Sequence, residues 1–427
     1  MKATGLCFFA FLAAPALFAG EGAAVLKAGG AREDITPPPG LPLWGYGARK
    51  DLPAKGAHDP LWATGVVLEA EGQKLALVGL DLGRSPARRS MAWIRERVLK
   101  EAGVQTVFIV GSHTHHGPCL ELEGVPPTSE YIQSLNERIA GLIVRAARAA
   151  APARIGAAGA DVDLNRNRHT KIEPKPVDRE LAVIRIDGAD GRPIATIVNF
   201  AAHPTTREAE MLQYSSDYVG PLRAAFEKEA GGVCVFLQGA AGDLSTERRG
   251  KDTEAYGDAL GEEALKLWRS IVPAAPAKPS LQVREEEFKF ASRVDHKDPM
   301  VYLAFSVAFF KTLVDAYLEE YRDGIRPHLT VALLDGEIGL VGASGEFFAS
   351  HSIRLKQRAR LPHVLFLGYA NGYHQYFPTI EAAAEGGYGA DPEVSPVEVG
   401  AGERMLDRAL FHLYDMRKAF KSGIGRR

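Results

Sequence analysis

The segment Thr106-Val-Phe-Ile-Val-Gly-Ser-His-Thr-His-His-Gly-Pro118 carries two messages. Its first half is a short, uninterrupted run of β-branched and aromatic residues, the pattern of a strand covered on both faces. Its second half places His113 and His115 just beyond that strand. In extended backbone the two imidazoles project to the same side, because side chains alternate. They could share one metal ion, or one could bind while the other handles protons; spare histidines in a surface loop are the plain alternative.

Working outward, the same kind of short apolar run recurs at 75–80, 181–186, 194–200, 233–237, 329–334, 338–341 and 364–367. Between these runs lie helical patterns. Tyr131, Leu135, Ile139, Leu142 and Ala146 fall on one stripe, and 86–102, 218–230, 253–271, 347–360 and 403–420 read similarly. The alternation predicts an α/β fold, with mixed β-sheets flanked by helices. The stretch 301–314, broken by Lys311, suits a buried helix face, and the Ala/Pro-rich 272–279 is a linker or an internal loop. No internal repeat is evident.

Unusual polar residues cluster just after strands: Asp81, His113 and His115, His203, Asp243 and Ser245, Glu346, and Tyr376. Open α/β sheets bind ligands beyond the carboxyl ends of their strands, so groups distant in sequence are expected at one edge. Antiparallel strands would send some of them to the opposite edge. His203, in Asn199-Phe-Ala-Ala-His-Pro-Thr-Thr206, gains weight only as a third imidazole. Glu346, in Gly342-Ala-Ser-Gly-Glu-Phe347, fits a cation ligand or a helix start favoured by the macrodipole. Tyr376 lies in a loop dense in tyrosine and glycine, and phenolate is an uncommon ligand. Gln238-Gly-Ala-Ala-Gly-Asp-Leu-Ser245 could form an anion nest or a second cation site. Ser245 lacks the Gly-x-Ser-x-Gly elbow of a serine hydrolase. Mixed nitrogen and oxygen ligands suit zinc, and an open coordination position suits catalysis.

Composition narrows the partners. The chain has 427 residues and a net charge of −2, which gives no support for nucleic-acid binding or a polybasic anchor. Lys2, the apolar residues from Leu6 to Leu17 and a small-residue site near Ala19 predict a signal peptide over residues 1–20 and a secreted or periplasmic protein. Beyond Cys7 only Cys119 and Cys234 remain, read as free thiols or one incidental bridge.

At these same motifs the chain resembles the neutral, non-lysosomal ceramidase family, specifically its N-terminal catalytic domain. Arg32-Glu-Asp-Ile-Thr-Pro37 and Trp44-Gly-Tyr-Gly47 resemble the family's opening signatures. His113-Thr-His-His-Gly-Pro118 is similar to its His-Thr-His-Ser-Gly-Pro, with His116 in place of the serine. Asp163-Leu-Asn-Arg166, Val177-Asp-Arg-Glu-Leu181, Phe200-Ala-Ala-His-Pro204, Ser216-Asp-Tyr-Val-Gly220, Gly242-Asp-Leu-Ser245 and Gly345-Glu-Phe347 follow in the family's order. The resemblance implies one catalytic unit over 21–427 without the family's immunoglobulin-like domain. It implies a zinc-dependent hydrolase of linear amide C–N bonds acting on a small-molecule or lipid N-acyl amide; a transient membrane-surface contact is open, and nothing implies a protein partner. Its implied zinc ligands are His113, His203, Glu346 and Tyr376. It places His115 beside the metal, Arg166 on the polar part of the substrate and Tyr388 on the reacting carbonyl oxygen. Ser245 matches a serine once considered a nucleophile, and Thr246 replaces the usual proline after it. Two broader readings stay open: a zinc hydrolase of another ester or amide, and a non-catalytic protein of the same fold.

Overall fold

A computed structural model describes residues 25–295 and 297–420. The expected signal peptide lies outside the described residues.

Eight strands form the larger sheet: β1 (Lys27–Asp34), β2 (Trp62–Ala70), β3 (Gln73–Leu80), β4 (Thr106–Gly111), β5 (Ala151–Asp161), β7 (Glu180–Gly188), β8 (Pro193–Phe200) and β9 (Val233–Gln238). Their order is β4-β3-β2-β1-β5-β7-β8-β9. A two-stranded piece joins β6 (Asn165–Asn167) to β10 (Leu244–Thr246). The second sheet, ordered β11-β12-β13-β15, comprises β11 (Leu281–Glu287), β12 (His328–Leu334), β13 (Ile338–Ala343) and β15 (His363–Leu367). A last pair joins β14 (Glu346–Phe347) to β16 (Tyr376–Phe377). The expected mixed α/β class is what the chain forms.

The long sheet folds back on itself, so that β9 lies against β2 and β3. At Gly79 an added Cβ would fall 2.2 Å from the Phe236 carbonyl oxygen, so the backbones meet there with no room for a side chain. The second sheet closes the third side. Leu77, Phe108, Ile184, Val235, Leu340 and Leu365 come together in one core from all three walls. Helices cover each wall from outside. α1 (Arg88–Ala102) and α2 (Thr128–Arg148) pack on the first. α3 (Val219–Ala230) and α4 (Thr253–Ser270) pack on the second. α7 (Ala349–Ala359) and α9 (Ala401–Met416) pack on the third, with the short α8 (Ile380–Glu385) between them in sequence. Strands buried on both faces explain why the sequence runs are continuous rather than alternating.

Three parallel pairs settle the worry about opposite edges. β3 with β4, β8 with β9, and β13 with β15 run parallel, each joined through the helix between them (α1, α3 and α7). Each pair aims its carboxyl end at the same place. The free edge of β4 is closed by residues 369–371. Asn371 accepts from the Ile109 amide (2.9 Å) and donates to the Val107 carbonyl (2.8 Å) and to Thr330 Oγ1 (3.1 Å).

One expectation needs correction. The apolar stretch 301–314 is not one buried face. It divides between α5 (Pro299–Ala308), which has no buried residue, and α6 (Lys311–Glu320), where only Val314 is buried. Met300, Leu303 and Val307 are exposed, because no element of the core covers that side of α5. The stretch 272–279 is an internal loop whose Ala274 pairs with Ile155 of β5. Cys119 and Cys234 are buried free thiols. No helix among the described residues is long and apolar enough to cross a membrane.

Candidate active site

The three carboxyl ends deliver the predicted residues to one buried cluster. β4 runs into His113 and His115, and β8 runs into His203. β13 leads to Glu346 on β14, and β15 leads to Tyr376 on β16. The parallel pairing of β14 with β16 sets Glu346 beside Tyr376 in register.

His113 adopts a left-handed backbone with φ of 72°, uncommon for a non-glycine residue and frequent where function fixes a conformation. Its Nδ1–H donates to the Gly83 carbonyl at 2.9 Å, which leaves the Nε2 lone pair facing the cluster. His203 repeats the device, donating from Nδ1 to the Ala241 carbonyl at 2.6 Å. Glu346 Oε2 lies 3.2 Å from both Nε2 atoms. These contacts are not aligned as hydrogen bonds, and His113 Nε2 and Glu346 Oε2 remain without a partner. Glu346 Oε1 accepts from the Tyr373 hydroxyl at 2.5 Å.

His115 completes the group. The nearest ligand atoms of His113, His115 and His203 all lie within 4.8 Å of one another. Both His115 ring nitrogens are buried without a partner. Burial, then the adjacent His113 and His203, push its pKa well below 6.5, so the ring is neutral near pH 7. Gly45, at φ +101°, lets the chain pass so close that an added Cβ would lie 2.4 Å from His115 Cγ. Buried polar atoms normally find partners, and several imidazole and carboxylate atoms left unpaired around one point fit a divalent cation. This buried histidine group could hold a metal ion.

The other predicted residues divide. Tyr388 stands at the cleft with its ring 5.6 Å from that of Tyr376. Ser245 pairs through its backbone with His203 and with Arg166 of β6, and does not line the cleft. Arg166 is not brought to the cluster: its side chain is 60% exposed and faces Glu247 at 3.9 Å. Asp81 forms a buried, bidentate ion pair with Arg223 of α3. Asp243 accepts from the Ala349 amide at the start of α7 (2.6 Å) and from Asn167 (2.7 Å). Both carboxylates have structural work of this kind.

Sequence reasoning missed Arg168. Its Nη2 lies 2.8 Å from His203 Nε2 and donates to Gly242 O (3.1 Å) and Tyr376 Oη (3.2 Å). The only signal was its place two residues after Arg166, where β6 ends and the chain turns inward. Trp44 was also missed. It packs edge-on against His113 and His115 and donates to buried Glu121 at 3.0 Å.

A cleft opens from the cluster, with about 1030 Å³ of empty space counted out to the solvent at its mouth. Phe305, Phe309, Phe310, Leu313 and Val314 form one wall; Trp44, His113, His115, Glu346, Tyr373 and Tyr376 form its polar end.

No family model matches the chain. Among curated proteins it is similar to neutral ceramidase A of Dictyostelium discoideum, at 27% identity over 173 residues, and to neutral ceramidase B of the same organism, at 26% over 172. Each match takes in 34% of this chain and spans only 24% of the relative's length. Among solved structures, neutral ceramidase from Pseudomonas aeruginosa has a TM-score of 0.76 at 18% identity, over 94% of this chain and 76% of that one. A ceramidase complexed with C2 gives 0.75 at 18% identity, over 94% and 77%. The resemblance read in the motifs is borne out: the fold is that of the neutral ceramidases across nearly the whole described chain.

Proposed function

With the neutral ceramidase fold as premise, we propose that this chain is a zinc-dependent hydrolase of an N-acyl amide bond, ceramidase-like in its chemistry. Its export by the N-terminal segment is part of the same reading and rests on the sequence alone. The observation that carries the proposal is the convergence of His113 Nε2, Glu346 Oε2 and both nitrogens of His115, all buried and unpartnered, at the polar end of an apolar cleft. His113, His203 and Glu346 would hold the ion, with Tyr376 beside them. Zinc bound there supplies a Lewis acid that acidifies water and polarises the amide carbonyl.

The rest falls to the chain. Neutral His115 takes a proton from the attacking water and returns it to the departing amine nitrogen as the C–N bond breaks. The products are a carboxylate and an amine. Tyr388 donates to the carbonyl oxygen as charge develops, a role supported by its position on the cleft lining beside Tyr376. The apolar wall from Phe305 to Val314 takes the acyl chain and keeps bulk water from the reacting carbon. Ser245 has no part in bond breaking.

The test combines metal analysis with turnover of short-chain N-acyl amides, ceramides included. Chelation is expected to abolish turnover and zinc to restore it. His113→Ala is expected to lose both metal and activity, whereas Ser245→Ala keeps zinc and at least about a tenth of the rate, since the positioned water and oxyanion donors survive. A Ser245→Ala protein that binds zinc and is inactive points instead to a serine nucleophile.

A further inference from the structure

Arg168 stands at the catalytic cluster without an anion of its own. It reaches His203 and Tyr376 yet does not line the apolar cleft, so it approaches the cluster from a different side. All its side-chain hydrogen bonds within the described chain come from Nη2, to a histidine nitrogen, a backbone carbonyl and a phenol. None of these acceptors is charged, and Nη1 and Nε donate to no described residue. Of the groups that act on the guanidinium electrostatically, Glu346 carries the negative charge, and Glu346 already faces two imidazoles. Arg168 is half-buried with no carboxylate committed to it, and its planar fork matches the carboxylate oxygens of a ligand.

From this arrangement we infer that Arg168 selects substrates whose amine portion carries a carboxylate, N-acyl amino acids in chemical class. The inference rests on the amide-hydrolase reading and refines its substrate. With the acyl chain in the apolar cleft and the amide over His113, His115 and Glu346, the amine portion extends away from the phenylalanines, toward His203, Tyr376 and Arg168. A neutral amino alcohol offers Arg168 only hydroxyl groups. An amino acid offers it an ionised carboxylate, the stronger and shorter kind of hydrogen bond.

The experiment compares N-acylglycine with the N-acylethanolamine of the same chain length on the zinc-loaded full chain, wild type and Arg168→Gln. Expected is a preference for the acid of roughly 10- to 100-fold in kcat/KM, carried mainly by KM, as for a site built around a charged hydrogen bond. In Arg168→Gln the ratio collapses toward one, and in Arg168→Lys part of it returns. An equal rate for both substrates in the wild type, or an unchanged ratio in Arg168→Gln, overturns the inference. Calorimetric binding of the two amides to the zinc-loaded His115→Ala protein separates this outcome from failure of the hydrolase reading. If neither amide is turned over, at least tenfold tighter binding of the acid, lost on adding Arg168→Gln, still supports the carboxylate site; equal binding refutes it.

Discussion

At the scale of single residues, the site depends on close approaches that tolerate no added atoms. Gly45 is one such case, because its missing side chain is where the His115 ring passes. Gly45→Ala must move His115 or the backbone, and displacements of about 1 Å at a catalytic group can cost as much as 100-fold. We expect kcat/KM to fall at least about tenfold with metal content unchanged, measured by turnover and metal analysis on the same preparation; an unaltered rate would show that His115 is not held by this contact. The residues legible in sequence were those with a chemical signature. His113, His203, Glu346 and Tyr376 stand after strands and do converge. Arg166 and Arg168 could not be told apart in that way, because which arginine turns inward depends on where β6 ends, a matter of two residues.

At the scale of elements, the buried strands were readable and the small-residue strands were not. β4, β8 and β13 announce themselves by β-branched runs. β1 and β5 read Lys-Ala-Gly-Gly-Ala-Arg-Glu-Asp and Ala-Pro-Ala-Arg-Ile-Gly-Ala-Ala-Gly-Ala-Asp, which lack that signature. The reason is packing. At Gly29 of β1 an added Cβ would lie 2.2 Å from the Ala146 carbonyl of α2, so the helix rests on bare backbone. Between walls, Glu285 of β11 joins Arg95 of α1 (2.7 Å) and His328 of β12 (3.2 Å). Burial would raise the Glu285 carboxyl, but the hydrogen bond from His328 and the charge of Arg95 bring its pKa from 4.5 to about 2. A depressed acid stabilises the fold above its unfolded pKa and loses that contribution as pH falls through the folded value. Glu285→Gln should therefore cost about 1 kcal/mol at neutral pH, after discounting for solvent screening of a partly exposed pair, and the gap should close between about pH 4.5 and pH 2. Urea titrations across that range read it; a constant gap would refute the linkage.

At the scale of the whole molecule, stability and function share one centre. Phe108 lies fully buried where the two large sheets meet, and an added Cβ on Gly342 of β13 would fall 2.6 Å from its ring. The glycine exists to admit the phenylalanine, a relation no sequence pattern displays because the two lie on different sheets. Truncation to Phe108→Ala should lower unfolding free energy by about 3–5 kcal/mol, since such a void has little freedom to collapse. Denaturant unfolding measures this, and a loss under about 1 kcal/mol would mean that the walls do not depend on this contact. The overall plan was legible as far as α/β alternation carries it. The folding of one sheet into two facing walls was not, because the close pass of β3 and β9 is marked only by Gly79.

The carboxamide of Asn371 has a final consequence. An outermost strand with bare amides and carbonyls invites other chains to add themselves, and proteins usually deter this with charge, proline or a bulge. Here residues 369–371, through their backbone and the Asn371 carboxamide, stopper the outer rim of β4, and they belong to the tyrosine loop that presents Tyr376. Whatever loosens that loop uncovers a sticky rim as it disassembles the buried histidine cluster, so loss of the proposed activity and self-association should set in together.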